Sequence, residues 1–81
     1  MKFGTVLQGL RTGKKYARKG WNGKDTCIQL QVPDKNSKMT RPYIYLNFKR
    51  GIGMPTKVFD ERIPWLASQS DILSDDWVVV K

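Results

Sequence analysis

One cysteine, Cys27, and no histidine in 81 residues remove the two usual staples of a small domain, an intrachain disulfide and a structural zinc. A chain of this length buries only about 60–65% of the surface it exposes when unfolded. With no cross-link available, burial against further copies of itself is the obvious supplement, so the sequence predicts a homo-oligomer. Three Trp, three Tyr and three Phe add to that expectation, because rings on so short a chain must serve an interface or a ligand. The length allows a single domain, residues 1–81. Trp77-Val78-Val79-Val80 is far shorter than the roughly 20 apolar residues that cross a bilayer. The N-terminal apolar residues are spaced rather than continuous, so neither a membrane span nor a signal-peptide core is expected.

Local periodicity sets out the elements. Phe3, Val6, Leu7 and Leu10 fall at i, i+3, i+4, i+7, which predicts an amphipathic helix over 3–12. Gly13 stands where a left-handed stop belongs. Gly4 and Gly9 should weaken that helix by about 1 kcal/mol each relative to Ala. Tyr16-Ala17-Arg18 reads as a brief strand and Gly20-Trp21-Asn22-Gly23 as a turn, with Asn-Gly the strong hairpin signal. Cys27–Val32 alternates apolar with polar, and Tyr43–Phe48 does so again. Residues 33–39 read as a polar loop. Arg50–Pro55, with two Gly and a Pro, is expected to be a loop, followed by a short strand at Val58-Phe59. Pro64–Ala67 suits a helical turn with Pro in its first turn, and Ser70 suits the cap of a second. Trp77–Val80 closes the chain as a strand. The fold class is therefore α+β. A short N-terminal helix packs on a small antiparallel sheet of four or five strands, with short helical turns near the C-terminus.

Charge is unevenly placed. The formal net charge is +8, but residues 1–57 carry 13 basic and 2 acidic groups while residues 58–81 carry 2 basic and 5 acidic. Such a split invites a polyanionic ligand, complementary contact between subunits, or both. Catalysis has little to work with. No triad is possible without His, and Cys27 lies mid-strand where a buried, inert thiol is expected. Asp60-Glu61 and Asp75-Asp76 are adjacent pairs, which point to opposite faces of a strand rather than converging. The sequence thus predicts no enzyme, no catalytic or metal-ligating residue and no cofactor.

Binding has better candidates. Arg18, Lys19, Trp21, Asn22 and Lys24 bracket one tight turn and offer a ring to stack on a base, an amide for its edge and cations for phosphate. The same residues also suit a plain hairpin on which Trp21 packs against the sheet. Arg41, Tyr43, Tyr45 and Lys49 share one face of an extended strand, as a stacked phosphate-bearing ligand or an oligomer interface would require. A pocket between subunits would satisfy both. Gly51-Ile52-Gly53 is weak as a phosphate cradle and is expected to be a loop. Ser68, Gln69, Ser70 and Asp71 could read a base or ribose, although capping a helical turn accounts for some of them. Trp77 belongs to the core.

Two blocks of this sequence are together specific. Phe3-Gly4, Leu7, Leu10, Gly13-Lys14-Lys15, Ala17-Arg18 and Gly20-Trp21-Asn22-Gly23-Lys24 form the first. Pro64-Trp65-Leu66-Ala67-Ser68-Gln69-Ser70-Asp71-Ile72-Leu73 with Asp75-Asp76-Trp77 forms the second. The chain resembles the small phage proteins of the second Thoeris anti-defence type. That resemblance implies a homotetrameric sponge in the cytoplasm of an infected bacterial host. It would sequester cyclic nucleotide immune signals, chiefly glycocyclic ADP-ribose and in some members cyclic dinucleotides, without cleaving them. It implies ligand-binding roles for Trp21 and Asn22, then Ser68, Gln69 and Asp71, with Arg18 beside them; Arg41, Tyr43 and Tyr45 rest on the strand pattern alone. Trp21, on a turn outside the alternating core, is expected to serve the ligand rather than the assembly. The competing class is a basic protein that binds single-stranded nucleic acid. Five acidic groups in the last 24 residues and the lack of an extended Lys/Arg track argue against it, so nucleic acid is not an expected partner. A structural phage accessory protein with no small ligand is the third class.

Overall fold

A computed structural model describes residues 1–21 and 26–81. Helix α1 (Phe3–Leu10) is followed by β1 (Lys15–Arg18), β2 (Cys27–Gln31), β3 (Tyr43–Ile52), β4 (Lys57–Pro64), helix α2 (Gln69–Leu73) and β5 (Trp77–Val80). The five strands form one antiparallel sheet in the order β4-β3-β2-β1-β5. The expected α+β class holds, with a short N-terminal helix, one sheet and a short C-terminal helix.

Helix α1 buries Val6 and Leu10, the inner positions of the predicted stripe. It ends two residues before the expected boundary, because Arg11 and Thr12 have no apolar side chain to bury. Gly13 then takes φ +91° and Lys14 N–H reaches Gly9 O at 3.1 Å, the left-handed stop read from the sequence. Gly9 has a purpose that propensity hides. A Cβ there would overlap the Tyr16 ring, which passes under the helix at 3% exposure.

Register assigns the two faces of the sheet. Tyr16 pairs with Ile28, Ile28 with Leu46 and Leu46 with Ile63, so these share the face under α1. The core there is Val6, Leu10, Tyr16, Ile28 and Trp77, flanked by Phe3, Trp21, Leu30, Ile44, Leu46 and Trp65. The other face carries Gln29, Tyr43, Tyr45, Asn47, Lys49, Asp60 and Arg62, and neither helix lies over it.

Four local expectations are revised. Residues 50–55 are not simply a loop: β3 runs to Ile52 and pairs with β4 through Ile52↔Lys57, confining the turn to Gly53–Thr56. Eight ladder pairs outweigh the local preference of Gly51, and the short strand expected at Val58-Phe59 is the start of an eight-residue one. Pro64 does not open a helical turn. It closes edge strand β4, where its missing N–H costs nothing, and Trp65 N–H continues the ladder to Ile44 O at 3.0 Å. The α2 cap is Ser68, not Ser70: Ser68 Oγ accepts from Asp71 N–H at 3.0 Å and Asp71 Oδ2 accepts from Ser68 N–H at 3.1 Å.

Candidate functional site

The candidate residues do not form one site. They divide between the two faces of the sheet.

On the helix side, Arg18 leaves β1 beside Trp77 and is held by two carboxylates. Its Nε donates to Asp76 Oδ1 at 2.9 Å and its Nη1 to Asp71 Oδ1 at 3.0 Å. These hydrogen bonds, Asp76 first, raise the already high Arg18 pKa. The guanidinium holds Asp76 below the ordinary carboxylate range. Burial pushes Asp71 upward, but the Ser68 amide, Arg18 and the Ser68 hydroxyl outweigh it, and Asp71 also lies low. Trp77 Nε1 donates to the backbone carbonyl of Asp71 at 2.9 Å. Arg18, Ser68 and Asp71 are thus brought together, and their polar groups are already engaged with one another. Gln69 is exposed at the start of α2.

Trp21 requires a correction. Rather than standing outside the core, it is half-buried and meets Trp77 edge-on at 5.3 Å and Trp65 at 6.5 Å. The apolar ring finds more to cover in two neighbouring indoles than in solvent, whatever its turn-like sequence suggests. Asn22 lies outside the described residues.

On the uncovered face, Arg41, Tyr43 and Tyr45 line a groove of about 520 Å³ with Gln31, Arg62 and Pro64. Strand β3 sets the tyrosines two residues apart on one face. Tyr45 Oη donates to Gln29 Oε1 at 2.5 Å, which fixes that ring; Tyr43 remains 38% exposed. Among the described residues, neither Arg41 nor Arg62 has an ion-pair partner. Lys49, from the same sequence pattern, lies farther along the strand and pairs with Asp60 at 2.8 Å, which holds Asp60 below its ordinary range. The groove therefore offers rings, an apolar floor and two available guanidinium groups.

Sequence patterning does not reveal Arg62, because it marks only Val58-Phe59 as strand in that segment. Pairing with β3 brings Arg62 opposite Asn47, one step from Tyr45. The pattern Val58-Phe59-Asp60-Glu61-Arg62-Ile63 has no clean alternation that would have disclosed this.

A family profile for the Thoeris anti-defense 2-like domain matches residues 1–80. The chain belongs to that family. It is 33% identical to Thoeris anti-defense 2 of Bacillus phage SP01 over 88 residues, spanning 99% of this chain and 94% of the relative. The family gives the chain a phage anti-defence role, and it is named for that role rather than for a catalysed reaction. Among the described residues, no helix is long and apolar enough to cross a membrane.

Proposed function

We propose that the protein is a sponge that binds cyclic nucleotide immune signals in the cytoplasm of an infected bacterium and holds them without cleavage. Glycocyclic ADP-ribose is the first ligand class and cyclic dinucleotides the second. The observation that carries this reading is the groove of Arg41, Tyr43, Tyr45 and Arg62, where stackable rings and available cations meet in a member of an anti-defence family. A nucleobase on a ring gains about 1–3 kcal/mol, and a charge-assisted contact to phosphate is of similar size. The Arg18–Ser68–Asp71 cluster and Trp21 are a second contact region on the opposite face, reached by a ligand only when another copy supplies the rest of the wall.

Assembly as a homotetramer belongs to the same proposal. The accessible surface is 6500 Å², against about 5,000 Å² for a compact monomer of this mass. The Cα radius of gyration is 13.9 Å, against about 12 Å for a compact domain of this length. Surface on that scale supports burial by further copies.

Calorimetric titration with glycocyclic ADP-ribose, with a cyclic dinucleotide and with a short single-stranded oligonucleotide tests the ligand class. Tight binding of a cyclic signal, followed by its intact recovery after heat denaturation, is the expected outcome. A cleaved product in the chromatogram, or binding of the oligonucleotide alone, defeats the proposal. Light scattering should give about 38 kDa for four chains, and a folded 9.4 kDa species at micromolar concentration would remove the tetramer.

A further inference from the structure

The two edges of the sheet are finished differently. Strand β5 is four residues long, and its outward Trp77 carbonyl already accepts from Met1 N at 2.8 Å. Strand β4 is eight residues long, pairs with β3 without a bulge, and is exposed everywhere except at Glu61. Trp65 N–H points to Ile44 O, so the alternation of an antiparallel ladder turns the odd-numbered residues of β4 toward β3. The N–H and C=O groups of Val58, Asp60 and Arg62 therefore point out of the sheet. Among the described residues, no backbone hydrogen bond from outside the sheet reaches them. Pro64, which lacks an N–H at the next outward position, stands only at the strand's end. An edge this long and unbroken is a template for another strand.

Its side chains select which strand. Two copies of one strand meet antiparallel about a two-fold axis, so the edge must be complementary to itself. An axis normal to the sheet at Glu61 sets Asp60 opposite Arg62 twice on the uncovered face. On the helix side it sets Phe59 opposite Ile63 twice, and these apolar side chains are 47% and 48% exposed. Opposite-charge and apolar cross-strand pairs are the favourable ones. Asp60 keeps Lys49 at 2.8 Å and has further lone pairs to accept from Arg62. The Arg62 fork has five N–H donors, so a contact across the axis leaves others facing the groove. This register costs one meeting of Glu61 with itself, which Arg50, 3.7 Å from the Glu61 carboxylate of its own chain, offsets. Moving the axis to Asp60 opposes two aspartates and sets Phe59 against Glu61. Moving it to Phe59 sets Val58 against Asp60 and confines the ladder to Lys57–Glu61, ahead of the turn at Gly53–Thr56.

We propose that β4 pairs with β4 of a second copy, in an antiparallel ladder centred on Glu61 that joins two five-stranded sheets into one continuous sheet. Resting on the homo-oligomer reading above, this pairing adds the surface that carries the contact and the register that makes it specific. The charged side chains that would repel an unrelated edge become matched pairs for a copy of this one.

Cysteine variants test the register directly. On the axis Glu61 faces itself at a Cα separation of about 4.5 Å, the spacing of a non-hydrogen-bonded pair, inside the roughly 4.4–6.8 Å that a disulfide spans. Glu61→Cys, oxidised at micromolar concentration, should run as a covalent pair of chains on a non-reducing gel and revert with reductant. Phe59→Cys should not link, since its two copies lie four residues apart along the ladder, about 13 Å. Combined with Ile63→Cys it should link again. Cys27 is buried, so the parent should stay unlinked. Arg62→Glu, which opposes carboxylates at both Asp60 positions, should at least halve the mass by light scattering while circular dichroism keeps the parent's spectrum. A four-chain parent whose Glu61→Cys variant gives no link, or whose Phe59→Cys variant links by itself, overturns the edge pairing and leaves the tetramer standing. A folded Arg62→Glu variant with the parent's mass does the same. A monomeric parent overturns both.

Discussion

Under α1, Val6, Leu10, Tyr16, Ile28 and Trp77 are between 0% and 3% exposed; along the outer half of the β3–β4 hairpin, Met54 is 97%, Val58 62% and Phe59 47% exposed. Both regions are built from antiparallel strands with apolar residues. The difference is what lies over them. One face of β1 and β2 is closed by a helix and by a cluster in which Phe3, Trp21 and Trp65 surround Trp77 at centroid distances of 5.3–5.9 Å. The hairpin has ladder hydrogen bonds, a Lys49–Asp60 pair and a longer Arg50–Glu61 contact of 3.7 Å, but no cover. Folding stability is concentrated in the first region, and the second is left available for partners.

The largest effect should come from the covered side. Trp77→Ala removes the most buried ring, and an aromatic-to-Ala change in a core costs about 3–5 kcal/mol, which is most of the stability of a small domain. Loss of the cooperative far-ultraviolet transition in urea is the expected result. A variant that unfolds normally would show that the Trp cluster is not where stability resides.

A sharper comparison uses two glycines of the same helix. Gly9→Ala gains about 1 kcal/mol of helix propensity, yet must displace the buried Tyr16 ring, and overpacking of that kind costs about 1–3 kcal/mol. It should therefore lower the urea midpoint. Gly4→Ala meets nothing within 4 Å and should raise it, by up to about 1 kcal/mol. The same midpoint shift for both would mean that α1 does not press on β1 as described.

On the hairpin, Phe59→Ser should change the stability of the isolated chain by no more than about 0.5 kcal/mol, as for surface sites generally. If this ring meets another copy, the apparent melting temperature should become more dependent on protein concentration and the mass by light scattering should fall. An unchanged mass and melting temperature would place the copy-to-copy contact elsewhere.

The smallest effect concerns acid. Asp71 and Asp76 have native pKa values below their ordinary range. Their contribution to stability is therefore complete above the unfolded carboxylate pKa near pH 4, to within the usual spread. It is lost as pH falls through the depressed native values. Stability should be level from neutral pH down to that range and then decline. Arg18→Met should flatten that decline, and a variant that keeps the parent's acid limb would show that the ion cluster contributes nothing.

Much of this was legible along the chain. The stripe Phe3-Val6-Leu7-Leu10, the stop at Gly13, the alternation in Cys27–Gln31 and Tyr43–Phe48, and the terminal Trp77 strand all encode their faces locally. A side chain's face depends only on a period of two or 3.6 residues. The two motif blocks likewise sufficed to indicate the family. Tyr43 and Tyr45 were legible as neighbours on one face for the same reason.

Pairing was not legible, because it is a property of two distant segments and a backbone ladder that any residue can join. Only tertiary structure extended β3 through Gly51, set β4 beside it and so carried Arg62 to the groove with no alternating pattern to announce it. It also drew Trp21 into the indole cluster and engaged Arg18 with Asp71 and Asp76, 53 and 58 residues away. Local sequence determines which way a residue faces. What it faces is decided by register, where a shift of one residue would exchange the two sides of the sheet, and by whichever distant groups burial leaves in need of a partner.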